Sequence, residues 1–215
     1  MSHERSTVAE ELAREVARKG DWSGYVVVGL PKGGAVAGAR VALELGIAYE
    51  CVPVCRIGMP CSPQLTLGAI DPDGFVTLDP HSELTRYQVT RSRGELADAL
   101  RQEADRCRGD REPVDVANRD VVVVDDAADT HMVAQAAAEY LRRHGAGRLA
   151  FATPVASELA IPRVEELYDE VIVGRVVRPT AIAGFYTDAV PGDDVIHECM
   201  TRAWEASPEK PVART

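Results

Sequence analysis

Apolar positions Val8, Leu12 and Val16 recur every four residues, and Thr7 with Glu10 has the form of a capping box. Lys19-Gly20 then supplies a basic last turn and a glycine stop, so the first segment reads as a helix. Tyr25 to Leu30 is a short β-branched run that reads as a buried strand. The turn Pro31-Lys32-Gly33-Gly34 follows, then an alanine-rich helix to Leu45 closed by Gly46, then a strand from Tyr49 to Val54. Strand, glycine turn, helix and strand make a βαβ unit with parallel pairing.

From Arg56 to about Leu78 glycines and prolines break up short apolar runs, which suits a small hairpin or a flap. Glu83 to Cys107 is charged and reads as a long surface helix with Leu84, Leu96 and Leu100 as its apolar positions, ending in the turn-rich Arg108-Gly109-Asp110-Arg111-Glu112-Pro113. The strongest pattern is Asp120-Val121-Val122-Val123-Val124-Asp125-Asp126, an apolar strand with two carboxylates at its carboxyl end. A helix is expected over Met132–His144, a strand over Arg148–Ala152, a short helix over Glu158–Tyr168 interrupted early by Pro162, and a fifth core strand over Glu170–Val173. The fold class is therefore α/β, a parallel sheet of about five strands flanked by helices with a small hood or flap. Residues 1–206 form a single domain, with 55–80 as a flexible flap and 175–200 as part of the hood, and 207–215 as a frayed tail.

Length and composition fit one such domain: 215 residues, 46% hydrophobic, with enough apolar material for a core and no internal repeat. No apolar run approaches the roughly 20 residues that span a bilayer, and the first residues lack the pattern of a secretory signal. A soluble cytoplasmic protein is expected. The 24 basic and 34 acidic residues leave a net charge of -10, which disfavours non-specific nucleic-acid binding. The spacings among Cys51, Cys55 and Cys61, with Cys107 and Cys199 far off, do not match a zinc site, so the five read as free thiols.

Two loops carry candidate chemistry. In an open parallel sheet, ligands sit beyond the carboxyl ends of the strands. Lys32-Gly33-Gly34 can present backbone N–H groups and an ammonium to an anion, or can be ordinary loop punctuation. Asp125 and Asp126 at a sheet rim can accept hydrogen bonds from vicinal hydroxyls or help hold a hydrated cation. Alternatively they cap the next helix and favour its dipole, which explains one aspartate better than two.

Asp125-Asp126 after four valines, with Thr130 four residues on, resembles the PRPP-binding loop of type I phosphoribosyltransferases. Gly29-Leu30-Pro31-Lys32-Gly33-Gly34 is similar to that family's pyrophosphate loop. Arg56-Ile57-Gly58, Pro63-Gln64-Leu65, Gly68-Ala69-Ile70, Arg108-Gly109-Asp110-Arg111 and Gly184-Phe185-Tyr186 resemble a bacterial phosphoribosyltransferase-like subgroup. The likeness covers roughly Tyr25 to Val195. It implies glycosyl transfer from PRPP or a related ribosyl donor to a small acceptor, a place in nucleotide metabolism and, as in many members, a homodimer. Asp125 and Asp126 would hold the ribose hydroxyls, Lys32, Gly33 and Gly34 would meet the pyrophosphate, and Mg²⁺ would bridge the two, possibly touching Asp126. Arg56, Arg108 and Arg111 are candidates for stabilising the leaving group, or are solvated surface arginines. Phe185 and Tyr186 would stack on an acceptor base, or are core aromatics.

The 5-phosphate loop departs from the family pattern. It reads Asp125-Asp126-Ala127-Ala128-Asp129-Thr130-His131-Met132-Val133, where the family has small residues ending Thr-Gly-x-Thr. Thr130 matches, His131 takes the glycine's place and Asp129 adds a negative charge beside a dianion site. A protonated His131 would partly offset it. Either the donor lacks the 5-phosphate or binds in an altered pose, or the chain is a non-catalytic nucleotide or sugar-phosphate binding protein on the same fold. No G-x-S-x-G elbow or G-x-G-x-x-G turn points to a hydrolase or dehydrogenase.

Overall fold

The computed structural model describes residues 3–59, 62–79, 93–108, 111 and 113–208. Five parallel strands form the central sheet: β1 (Val26–Gly29), β2 (Ala48–Cys51), β6 (Val121–Val124), β7 (Leu149–Ser157) and β8 (Glu170–Val177), in the order β2-β1-β6-β7-β8. β3 (Cys55–Met59), β4 (Ser62–Ile70) and β5 (Val76–Leu78) form a separate antiparallel sheet where the flap is expected.

Alternation along the strands explains the layering. Val122 and Val124 face one core with Val27 and Tyr49, while Val121 and Val123 face the other with Val26, Val28 and Phe151. The first core is covered by α1 (Arg5–Lys19), α2 (Gly33–Leu45) and α7 (Asp193–Ala206), through Leu12, Val16, Val41 and Met200. The second is covered by α4 (Met132–Arg143) and α5 (Ile161–Leu167), through Ala134, Leu141 and Val164. A single-turn helix, α6 (Pro179–Ile182), follows β8. Each of the four β6 valines is fully buried, a contribution of roughly 1.5–3 kcal/mol per side chain. Buried on both faces, this strand reads as a continuous apolar run.

Several boundaries differ from the sequence pattern, for local reasons. α1 begins at Arg5 with Glu4 as its N-cap and no side-chain cap, so Thr7 and Glu10 lie inside the helix and form no capping box. β7 continues through Pro154 to Ser157, because β6 ends at the level of Ala152 and no strand there requires the missing N–H. Pro162 starts α5 instead of interrupting it, since proline suits a first turn where N–H groups have no helical acceptor. The charged helix appears as α3 (Arg93–Arg108), while Glu83 and Leu84 lie outside the described residues. Of the tail, residues 209–215 also lie outside them. Cys51 is disulfide-bonded, which corrects its reading as a free thiol; Cys55 and Cys199 are free.

The strand order places the switch point of the sheet between β1 and β6: the chain leaves β1 toward β2 on one side and returns as β6 on the other. Loops at the carboxyl ends of such strands diverge and leave a crevice. Here the loop after β1 is Leu30–Lys32, and the loop after β6 begins at Asp125.

Candidate functional site

A cleft of about 830 Å³ opens above this switch point. Its floor is Lys32, Gly33, Asp125 and Asp126, one wall is Ala127, Asp129 and Thr130, and Tyr186 and Asp188 line the side toward the 182–190 segment. Cys55, Arg56 and Gly58 of β3 and Glu103 and Arg106 of α3 also reach it.

The two loops are pressed together. A Cβ at Gly33 would lie 2.0 Å from Asp126 Oδ2, and one at Gly34 would lie 3.0 Å from the Asp125 Cα. Only residues without side chains let the start of α2 come this close to the acids. Lys32 adopts φ 66° and ψ -116°, a conformation costly for a residue with a Cβ, and its carbonyl accepts the Ala35 N–H at 3.1 Å. The bend turns the chain from β1 straight into α2, so the helix N-terminus lies against the acids and Lys32 lines the same cleft.

Asp125 Oδ1 accepts its neighbour's backbone N–H, that of Asp126, at 2.8 Å. Burial pushes the Asp125 carboxyl well above the usual range, and the charge of Asp126 adds to the rise. Burial also raises Asp126, against the opposing pull of Arg5. The guanidinium of Arg5 is ion-paired with Asp126 Oδ2 and lies 3.9 Å above the Tyr186 ring. The Tyr186 hydroxyl donates to the Asp126 carbonyl at 2.5 Å. His3 pairs with the 185–187 backbone, and the Arg5 N–H donates to Asp188 Oδ1 at 3.1 Å. The amino-terminal residues thus build one side of the cleft.

Along the other wall Asp129 Oδ1 accepts the Thr130 N–H at 2.8 Å, and Oδ2 accepts from Arg56 Nη1 at 3.1 Å. Arg56 also donates to Thr66 Oγ1 at 3.3 Å, which ties the small sheet to the loop after β6. Thr130 Oγ1 is buried with no hydrogen-bond partner among the described residues. On α3, Glu103 is buried and paired with Arg106 at 3.0 Å, and Arg106 reaches Asp193 of α7 at 3.1 Å. Burial, helped by Glu103, pushes the Cys55 thiol up to about 11, so it is no thiolate nucleophile.

The cleft therefore gathers Lys32, Gly33, Arg56, Asp125, Asp126, Ala127, Asp129, Thr130 and Tyr186. Other expected residues stand elsewhere. Gly34 lies behind the bend, and Ala128 is buried in a bridge with Ala156. Phe185 is a core aromatic against Val8 and Val155, the second of the two placements open for it, and does not stack on a base. Arg111 lies 3.8 Å over the Trp204 ring, outside the cleft, so it does not meet a leaving group there. His131 is off the cleft, and burial with the Arg163 guanidinium holds its imidazole below the ordinary value, opposing the protonation that would offset Asp129. The Arg108 side chain lies outside the described ones. Nothing in the sequence pattern marked Arg5, Glu103 or Arg106: their roles depend on which distant segments meet.

Comparison with known proteins accords with this geometry. The phosphoribosyl transferase domain family matches residues 2–175. The chain is 30% identical over 175 residues to the "putative phosphoribosyl transferase" of two Mycobacterium tuberculosis strains, CDC 1551 / Oshkosh and H37Rv. That match covers 79% of this chain and 39% of the relatives, so the chain spans about two fifths of their length. The crystal structure of TT1426 from Thermus thermophilus superposes with a TM-score of 0.74 at 30% identity, covering 94% of this chain and 98% of that one. The AQ2163 protein from Aquifex aeolicus, 13% identical with a TM-score of 0.50, covers 81% of this chain and 75% of its own and shares the fold. With a type I arrangement of five parallel strands and the family match over most of its length, the chain belongs to the phosphoribosyl transferase family.

Proposed function

We propose that the cleft transfers a ribosyl group from PRPP or a related donor, activated at C1 by a diphosphate or phosphate, to a small nitrogenous acceptor. The observation that carries this reading is the contact between the two loops at the switch point. Carboxylates that can accept from vicinal hydroxyls sit directly against an amide-and-lysine bend that can receive an anion. A ribosyl donor needs those two functions on adjacent carbons.

In this reading Asp126, and Asp125 behind it, hold the 2- and 3-hydroxyls, while Lys32 and the Gly33 N–H receive the leaving anion. The C1–O bond breaks with its electrons going to the anion, a C1–N bond forms, and the acceptor nitrogen's proton passes to the departing anion or to water. The rate gain comes from fixed geometry and from charge placed where the leaving oxygen becomes negative. Magnesium fits as a companion of the donor. No three His, Cys, Asp or Glu gather into a chelating set among the described residues, whereas the carboxylates suit the waters of a hydrated ion. When bound it would supply charge neutralisation of the anion.

A second reading, a nucleotide- or sugar-phosphate-binding protein without turnover, is favoured by the Arg5 guanidinium, which already engages Asp126. Release of pyrophosphate from PRPP, or phosphate from ribose 1-phosphate, across a panel of purine and pyrimidine bases separates the two. Turnover lost in Asp126→Asn supports transfer; binding with no release in any combination supports the second reading. Absence of binding of either donor would remove both.

A further inference from the structure

Three arginines stand in the sequence as candidates for the anion that leaves C1, and the fold engages two of them otherwise. Arg56 is held by Asp129 and Thr66, and Arg111 stacks on Trp204, while the Arg108 side chain lies outside the described ones. Arg106, which also reaches the cleft, is tied to Glu103 and Asp193. The guanidinium against the bend is that of Arg5: a Cβ at Gly33 would stand 3.0 Å from its Nη1. This inference rests on the ribosyl reading, which puts the leaving anion at Lys32 and Gly33 and the sugar hydroxyls on the acids.

Such a ligand needs a cation where its two ends meet. An anion at the bend lies beside a floor that carries Asp125 and Asp126, and their repulsion grows as the ligand expels water. Lys32 supplies one positive charge. Arg5 supplies another at the junction itself, paired to Asp126 Oδ2 on one side and abutting Gly33 on the other. A guanidinium carries five N–H donors in one plane, so it can hold a carboxylate and an anion oxygen together. Among the described residues the Arg5 side chain hydrogen-bonds to Asp126 and nowhere else, and its Nε is buried without a partner. The residue is fixed from three directions: by the Tyr186 ring at 3.9 Å, by its own N–H on Asp188, and by the His3 backbone joined to 185–187. Stability alone would be better served by pairing the unused donors. A shielded cation locked at a cleft with donors to spare is arranged for a ligand.

We propose that Arg5 is the leaving-group arginine of this site, donating hydrogen bonds to the anion as the C1–O bond breaks and its electron pair passes to the leaving oxygen. No proton leaves the guanidinium, and its pairing with Asp126 persists. A donor fixed in advance gains most where charge develops, here on that oxygen. The segment that precedes the first strand thereby completes a site otherwise built at the sheet rim.

Calorimetry with magnesium chloride present compares each donor with the same sugar lacking the C1 anion: PRPP beside ribose 5-phosphate, and ribose 1-phosphate beside ribose. Arg5→Met removes the guanidinium, Arg5→Gln removes the charge but keeps an N–H for Asp126, and Arg5→Lys keeps the charge. Both neutral variants should lower the preference for donor over stripped sugar by about tenfold, about 1.4 kcal/mol, and Arg5→Lys by about threefold. Thermal melts identify the variants that fold. A purely structural role weakens both members of a pair alike. An unchanged preference in a folded neutral variant therefore overturns the proposal and leaves the ribosyl reading standing, and so does full recovery by Arg5→Gln. Wild-type protein with isotope-labelled arginine answers the question by NMR where neither neutral variant folds. The buried Arg5 Nε–H resonance, assigned by its absence from Arg5→Lys, should shift on binding pyrophosphate and not on binding ribose 5-phosphate. A resonance that bound pyrophosphate leaves unmoved overturns the proposal. If neither donor binds the wild type, the ribosyl reading itself fails and the proposal falls with it.

Discussion

Arg5, the first residue of α1, is ion-paired through Nη1 to Oδ2 of Asp126, 121 positions later in the chain. The pair is largely shielded, with side-chain exposures of 16% and 22%. It places a cation beside one of two neighbouring acids in a site where desolvation opposes ionisation of both. Arg5 is therefore a positioning residue: it favours the ionised form of Asp126 and fixes its carboxylate against the Gly33 bend.

Arg5→Met keeps the aliphatic stem and removes the guanidinium, both its charge and its stacking on Tyr186. Without its partner, the Asp126 carboxyl rises further, because Arg5 is what pulls it down. Stability should fall by about 1–2 kcal/mol near neutral pH, less than for a fully buried pair because the group can take up a proton. Both proteins carry a neutral Asp126 once the solution is acid enough, so the loss should shrink on acidification. Urea unfolding at about pH 5 and about pH 8 checks this; an equal loss at both values would show that packing, not charge, is what Arg5 contributes.

Gly33→Ala tests the contact between the loops. The added Cβ would lie 2.0 Å from Asp126 Oδ2 and 3.0 Å from Arg5 Nη1, so the ion pair must move as a unit. Backbone strain is no obstacle, since Gly33 has no positive φ. The expected cost is about 1–3 kcal/mol, with loss of ribose 1-phosphate binding by calorimetry. An unaffected affinity would mean that Asp126 does not need its present position.

Much of this site was visible in the chain before any fold was known. Four valines followed by Asp125 and Asp126 mark a buried strand ending at a rim, because burial on both faces leaves an unbroken apolar run. Lys32-Gly33-Gly34 marks a close approach for the same kind of local reason. Arg5 was not visible, since its pairing depends on the His3 backbone joining the 185–187 segment. Arg56 and Asp129 each stand out in the sequence, but not as partners, because the fold of the small sheet decides which cation reaches the loop. Arg111, open in the sequence between a leaving-group arginine and a surface one, stacks on the Trp204 ring outside the cleft. Charged side chains carry little periodicity, so their partners are set by tertiary structure alone.

Lys32→Gly should trade function for stability. At φ 66° and ψ -116° a lysine backbone is strained, and glycine is not. Relief of about 1–2 kcal/mol is partly offset by the greater entropy of glycine in the unfolded chain, leaving a net gain of about 0.5–1 kcal/mol in denaturant unfolding. Affinity for inorganic pyrophosphate should drop with the lost ammonium. Lys32→Ala separates the effects: it loses the same affinity but keeps the strain. If Lys32→Ala stabilises as much as Lys32→Gly, the gain has another origin.

Asp125→Asn makes the sharpest use of pH. In the folded protein the Asp125 carboxyl is raised well above its usual 3.8, by burial first and by the Asp126 charge second. A carboxyl raised by folding favours the native state fully below its unfolded value and loses that contribution as pH climbs through the folded one. Wild type therefore carries a penalty at neutral pH that asparagine does not, while the amide oxygen can still accept the Asp126 N–H. The variant should match wild type below about pH 4 and become more stable by about 1–2 kcal/mol toward neutrality. Ribose 1-phosphate binding should weaken in the same protein, since one of the two groups proposed to hold its hydroxyls has lost its carboxyl. With Asp125 replaced, Asp126 is left as the single acid of the pair, so its titration in the variant reads the pull of Arg5 against burial. A stability difference that is flat from about pH 4 to about pH 8 would mean that folding does not raise the Asp125 carboxyl.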